Sequence, residues 1–360
     1  EFTTTHQPLK LVEKPDPVVK PGYVLLKTKA GGLCHSDVSA LEHESWLPMF
    51  NTPVIMGHEI CGEILEIGEG VQMSSPELLF VETAPLMSIA DHVLLGYELC
   101  GTYARDAMDP RDGPASLWIP KATSVRKIER FLDDCEGIRG MDVARAHLAF
   151  VSDDAWAPTE SLISALVCLP IWAYGFALGS VTLNARVDPS ASAANSFAKR
   201  FRRPDILIDG TSVGINYDGE GHLDLESVAR AAVDAYRFPE IGVVQQGYIA
   251  AKDSVRRKVL DDKRRDRELG SQGYYVVPVT KEDLYEPNGF EKLIHLVLDG
   301  LEKHSGLDVC DKRRSLSNRA LMQKRQDLLW SQLPGRRGLQ KALQLERERQ
   351  ERIIAYGLRE

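Results

Sequence analysis

Gly32-Leu33-Cys34-His35-Ser36-Asp37 and, after a short spacer, Pro53-Val54-Ile55-Met56-Gly57-His58-Glu59-Ile60-Cys61-Gly62 are the strings on which the reading of this 360-residue chain turns. Upstream of them, Tyr23-Val24-Leu25-Leu26-Lys27-Thr28-Lys29 follows the Pro21-Gly22 turn with alternating apolar positions, the pattern of a strand. Downstream, Glu63-Ile64-Leu65-Glu66-Ile67 before Gly68 predicts a second strand. Thiolate, imidazole and carboxylate are ligand types that zinc accepts, and a catalytic zinc uses three protein ligands and one open position. The opening segment therefore reads as a small β-rich unit containing residue types that zinc accepts.

These strings resemble the start of the catalytic domain of zinc-dependent medium-chain alcohol dehydrogenases, a GroES-like β-barrel, over most of residues 8–71. The resemblance implies that Cys34 and His58 are zinc ligands, that Glu59 can approach the metal, and that Ser36 belongs to a proton relay to the alcohol. The same family carries a loop of four closely spaced cysteines, a further zinc-ligand cysteine and a dinucleotide-binding half with a glycine-rich fingerprint. After Gly70-Val71 the sequence has no GxGxxG, and its remaining cysteines are single. The expectation is a vestigial, weak Zn²⁺ site, no NAD, and no working dehydrogenase.

Composition places a boundary at the same point. Residues 1–71 contain five Lys and no Arg, whereas the remainder contains 12 Lys and 27 Arg. Such a shift in usage is expected where unrelated segments meet. With 43% hydrophobic and 27% charged residues, the chain can bury real cores, which argues against gross disorder, and its length suggests more than one domain. The six cysteines form neither a disulfide framework nor a CxxC pair, and the chain opens at Glu1 without a basic, apolar leader. Both features predict a cytoplasmic protein.

Beyond the boundary, residues 72–150 read as a helical lead-in. Ser74-Ser75-Pro76-Glu77 supplies an N-cap and an early proline, a second helix covers Ile89 to Cys100, and a third covers Val125 to Cys135. Residues 151–300 carry more pattern. Pro158-Thr159-Glu160 opens an apolar helix that Pro170 stops; the uncharged run Ser161 to Ala185 is too interrupted by Pro170, Gly175 and Gly179 for a membrane span. Asp205-Ile206-Leu207-Ile208 and Ser212-Val213-Gly214-Ile215-Asn216-Tyr217-Asp218 flank Asp209-Gly210, a hairpin signal. A charged helix from Asp253 to Leu269 and a strand from Tyr274 to Val279 follow.

Carboxylates converging from a helix and a hairpin suit Mg²⁺, a hard cation that takes oxygen ligands and keeps several waters. At these residues the chain resembles PD-(D/E)XK nucleases related to very-short-patch-repair endonucleases and to bacterial proteins associated with abortive-infection antitoxins. The resemblance implies that Asp205 is a metal ligand, Asp218 a second acidic group beside the metal and Glu160 a supporting carboxylate. Arg256, Lys263 or Arg267 supplies the positive charge usually given by the lysine, and His222 follows the Tyr-Asp-Gly step. Asn216 stands where those proteins carry Glu and offers the metal only a carbonyl oxygen.

Residues 301–360 read as a basic amphipathic helix pair broken at Pro334-Gly335. The expected architecture is multidomain: a truncated GroES-like segment over 1–71, a helical lead-in over 72–150, an α/β restriction-endonuclease-like core over 151–300 and a helical tail over 301–360. The leading functional expectation is a nuclease-like, DNA-acting protein of bacterial defence or mobile elements, either a Mg²⁺-dependent endonuclease or, through Asn216, a degenerate copy. A zinc alcohol dehydrogenase fragment and a non-enzymatic, antitoxin-like module with a toxin partner are its rivals.

Overall fold

A computed structural model describes residues 1–32, 34–191, 198–219, 225–238 and 240–356. The chain divides into two units, Glu1–Ser74 and Ser75–Glu360.

The first unit is built on two strands, β1 (Val24–Gly32) and β2 (Glu59–Ile67), paired antiparallel with Val24 opposite Ile67 and Gly32 opposite Glu59. Between them lie α1 (His35–Glu42) and a 3₁₀ turn, Glu44–Met49. Phe2 bridges to Val54 and meets the Phe50 ring edge-on at 5.8 Å. Among the described residues, Phe2 and Ala40 are the only buried hydrophobic side chains of this unit, and Ile60, Ile64, Leu65 and Ile67 stay exposed. A lone two-stranded ribbon has no second layer against which to bury such a face.

The second unit begins with α2 (Pro76–Thr83) and α3 (Ile89–Cys100), capped by Ser75 and Ser88, whose hydroxyls accept from Leu78 N and Asp91 N. A two-residue pairing joins β3 (Tyr103–Ala104) to β4 (Ser116–Leu117), and α4 (Val125–Asp134) and α5 (Met141–Leu148) follow. The uncharged run divides at Pro170. Its first part becomes α6 (Pro158–Cys168), every residue of which from Glu160 onward is buried, and its second contributes β5 (Val181–Leu183). Among the described residues no helix is long and apolar enough to cross a membrane.

Strands β6 (Ile206–Ile208) and β7 (Val213–Asp218) pair antiparallel around Asp209-Gly210, as the spacing predicts. The chain then runs through α7 (Leu225–Arg237) and α8 (Gly242–Ser271) to β8 (Tyr275–Thr280), which lies parallel to β7. The sheet order is β5-β6-β7-β8. α8 starts well before Asp253, because the uncharged stretch from Ile241 to Ala251 carries no charge pattern from which a helix could be read. Short α9 (Lys281–Tyr285) leads to α10 (Gly289–Ser305), whose Gly300 lets Tyr275 and Val213 pack against the helix backbone.

The last three helices are α11 (Cys310–Leu316), α12 (Arg319–Gln332) and α13 (Arg336–Tyr356). α12 is not simply a solvated basic helix. Its Arg325 is buried, pairs with Glu291 of α10 at 2.8 Å, donates to Gly175 O and Ser315 Oγ, and lies 4.5 Å from the centre of the Phe176 ring. A buried guanidinium so fully paired locks α12 onto the unit, since removing either partner strands a charge. The core joins Phe80, Val93, Tyr97, Ile163, Leu166, Ile206, Ile215, Val277, Ile294 and Leu329 into one cluster.

Candidate metal centre

The site of the first unit is assembled from the ends of its two strands. β1 stops at Gly32, and Cys34 sits at the N-terminal boundary of α1, where its backbone N–H donates to Asp37 Oδ2 at 3.2 Å. Asp37 thereby holds the first turn and keeps its other oxygen available. That second oxygen, Oδ1, lies 3.3 Å from His58 Nδ1 and fixes the ring from behind. The opposite nitrogen, Nε2, is 3.1 Å from Ser36 Oγ, and Ser36 Oγ donates to Cys34 Sγ at 3.2 Å. Gly57 enters the site with φ +108°, a left-handed conformation that glycine adopts without strain, and so turns His58 back toward Cys34. Glu59 begins β2 opposite Gly32; a side chain on Gly32 would collide with the Glu59 carboxylate at 2.6 Å.

Ser36 has one hydroxyl hydrogen. Given to Cys34, it leaves Oγ to accept from His58 Nε2–H, while Nδ1–H faces Asp37, an arrangement that favours thiolate and imidazolium. Hydrogen bonds from Ser36, and then from His58, accordingly lower the Cys34 thiol below its ordinary range. The hydrogen bond to Cys34, helped by the Asp37 charge, raises His58. One ligating atom each from Cys34, His58 and Glu59 lie within 4.8 Å of one another, and among the described residues no other group of three His, Cys, Asp or Glu side chains meets this condition. Soft sulfur, imidazole nitrogen and carboxylate oxygen fit zinc, and a carboxylate behind the ligand histidine is the usual outer partner. Asp37 and Gly32 were missed by sequence reasoning. The Cys-x-x-Asp spacing at a helix start is the signal that points to Asp37.

The acidic set of the second unit is arranged differently. Asp205 Oδ2 accepts from Tyr217 N at 2.7 Å, and Asn216 Oδ1 accepts from Asp205 N at 3.0 Å. The Asn216 oxygen, the one atom it could offer a cation, is thus already engaged across the β6–β7 hairpin. Asp218 Oδ1 accepts from Arg265 Nη2 at 3.1 Å. Lys263, two residues earlier on α8, is exposed, because positions i and i+2 point to different sides of a helix. The cation beside Asp218 is thus Arg265, and not one of the expected Arg256, Lys263 and Arg267, which are all exposed. Glu160 Oε2 accepts from Trp156 N at 2.8 Å and from Asn184 Nδ2 at 3.2 Å. Burial, reinforced by the Asp205 charge, pushes Glu160 up to about 7. Burial likewise pushes Asp205 up to about 6, against the pull of the Tyr217 N–H. The pair is near enough to share charge repulsion, yet Glu160, Asp205 and Asp218 do not converge as a three-ligand group. His222 lies outside the described residues.

Residues 20–107 match the alcohol dehydrogenase GroES-like domain family. The chain is 44% identical over 64 residues to an L-threonine 3-dehydrogenase of Cutibacterium acnes, covering 18% of this chain and 19% of that one. It is 42% identical over 64 residues to an acryloyl-coenzyme A reductase of Metallosphaera sedula, with the same coverage. An S-(hydroxymethyl)glutathione dehydrogenase of Escherichia coli is 35% identical over 96 residues, 26% of this chain and 22% of its own. The chain thus spans about a fifth of the length of the curated relatives it matches. No solved structure matches. The family match runs past Ser74 into α2 and α3, which fold as part of the second unit.

These relatives overturn the nuclease reading as the account of function: they are two dehydrogenases and a reductase, and the family match over residues 20–107 includes Cys34, His58 and Glu59. Mg²⁺ and a DNA partner were implied by that reading alone. What stands is a small GroES-like segment of alcohol dehydrogenase type followed by a helix-rich unit with small sheets.

Proposed function

We propose that Cys34, His58 and Glu59 hold a zinc ion serving oxidoreductase chemistry of the zinc alcohol dehydrogenase type. The observation that carries this reading is the convergence of thiol, imidazole and carboxylate within 4.8 Å, inside the stretch similar to dehydrogenases. Zinc bound there supplies a Lewis acid that polarises an alcohol or carbonyl oxygen and lowers the pKa of a hydroxyl. The protein groups do the rest. Asp37 orients His58 from Nδ1, Ser36 carries a mobile hydrogen between Sγ and Nε2, and Gly32 leaves the Glu59 carboxylate room to swing. Oxidation of an alcohol delivers a hydride to an acceptor and a proton to solvent, so the reading replaces the expectation of no NAD with a requirement for a nicotinamide cofactor.

The test is metal analysis of the full chain together with reduction of NAD⁺ or NADP⁺ in the presence of L-threonine and simple primary alcohols. One zinc per chain, lost in Cys34→Ser, supports the centre. Cofactor reduction that depends on that zinc supports the activity. Absence of zinc, together with no thiolate-to-cobalt absorption on Co²⁺ titration, overturns both.

A further inference from the structure

The longest helix of the second unit, α8, keeps its acids and its cations apart. Most of its acids have partners. Asp261 engages Lys199 at 2.7 Å and Arg202 at 2.8 Å, Glu268 engages the buried Arg202, and Asp262 and Asp266 each lie 3.7 Å from Arg265. The outer cations have none. Lys252, Arg256, Arg257, Lys263, Arg264 and Arg267 are all exposed, and among the described residues none of them makes a salt bridge or a side-chain hydrogen bond. Against them stands the exposed Asp253. The result is a positive strip on a chain whose net charge is -8.

Helical spacing orders that strip. Lys252, Arg256, Lys263 and Arg267 stand at i, i+4, i+11 and i+15, which at 3.6 residues per turn keeps them within about 60° of one another. Ile249 and Leu260 fall on the same side of the helix and are 55% and 44% exposed. At a rise of 1.5 Å per residue the line from Ile249 to Arg267 is about 27 Å long. Apolar exposure continues where α7 hands over to α8. Tyr236, near the end of α7, is 88% exposed, and Phe238 and Ile241 just before α8 are about half exposed. Gln245 Nε2 donates to Ala235 O at 2.8 Å, so this end of the helix pair is held together while its aromatic side chains face water.

Cations without counter-ions and aliphatic groups without cover therefore share one helix. The outer surface of a nucleic-acid duplex is phosphate and answers the cations alone. An anionic bilayer answers both, because its headgroups attract basic side chains and its acyl boundary takes up apolar ones. Among the described residues no helix is long and apolar enough to cross a membrane, so the contact is with the surface.

We infer that α8 and the end of α7 dock this protein on an anionic phospholipid surface, with the cationic strip on the headgroups and Phe238 and Ile249 at the acyl boundary. The inference is independent of the zinc centre and of the redox reading.

The experiment is co-flotation of the full chain with vesicles of phosphatidylcholine, alone or mixed with phosphatidylglycerol, beside a gel-shift titration with duplex DNA. The expected result is flotation with the mixed vesicles only, lost as salt rises from about 0.1 to 1 M and the screening length shrinks from about 10 to 3 Å. Arg256→Glu with Lys263→Glu weakens vesicle binding at least about tenfold. Phe238→Ser with Ile249→Ser weakens it about tenfold as well. Arg126→Glu with Arg130→Glu, the same charge change on the exposed side of α4, leaves it unchanged. Every substituted side chain is exposed, so the variants keep the fold, which an unchanged melting temperature checks. No flotation with the anionic vesicles, or equal flotation after the Arg256 and Lys263 changes, overturns the inference. So does vesicle binding indifferent to Phe238 and Ile249 while duplex DNA binds through the same cations, since the partner is then a nucleic acid.

Discussion

The two units of this chain solve opposite problems. The second is held by a continuous apolar core reaching from Phe80 to Leu333, with Arg325 clamped inside it. The first buries two hydrophobic side chains among its described residues and exposes both ends of its ribbon, and its order comes from strand pairing and a chain of polar contacts through Asp37, His58, Ser36 and Cys34. Yet the ligand chemistry lies in the first. The contrast teaches that a reactive constellation needs only two chain segments fixed at their ends, whereas a continuous apolar core needs many elements packed around it.

The widest separation between the units is expected in core truncation. Ile163→Ala should cost about 4 kcal/mol in denaturant melting, in line with buried aliphatic truncations, while Leu26→Ala in β1 should cost under about 0.5 kcal/mol. Equal costs would erase the distinction. Next in size is the metal centre. Asp37→Ala should weaken zinc binding about 10- to 100-fold by freeing His58, and Cys34→Ser should weaken it further, both read by competition with a chromophoric chelator. Neither substitution should move the main melting transition; a large shift would mean that the second unit depends on these residues.

A smaller effect probes the acids of the second unit. Glu160 and Asp205 both have raised pKa values in the fold, so the folded state holds protons that the unfolded chain has released, and stability falls as pH rises from about 4.5 toward 7. Glu160→Gln should therefore stabilise the protein by about 2 kcal/mol at pH 8 and change little at pH 4. A flat difference across that window would refute the coupling. The two histidines act in the other direction. His92 and His147 face each other at 3.0 Å through their Nδ1 atoms, and His92 Nε2 lies 2.7 Å from Phe80 O. Burial lowers both, His147 to about 4, so the stability they contribute is intact above pH 6.5 and drains away as pH falls toward 4. His147→Gln should flatten that acid limb by about 1 kcal/mol, measured as the pH dependence of Tm.

Much of the local structure was legible in the chain. Ser75 before Pro76, the Asp209-Gly210 turn and Pro334-Gly335 each mark a boundary because caps and turns are short-range interactions. Residues near in sequence decide them. The full extent of α8 was not legible, since its uncharged half carries no helical pattern, nor was the burial of Arg325, a residue type that usually stays in water.

By itself the sequence determined which atoms could hold zinc, because Cys34, His58 and Glu59 are the right chemical types beside strand signals, and residues 8–71 resemble the start of zinc alcohol dehydrogenases. Only the tertiary structure decided that these three meet while Glu160, Asp205 and Asp218 do not, that Asn216 spends its oxygen on Asp205, and that Arg265 rather than Lys263 faces the acids. Ligand type is a property of one residue and can be read from its letter. Convergence depends on strand register, helix phase and the competition of nearby N–H groups for each oxygen, and those quantities exist only once the chain has folded.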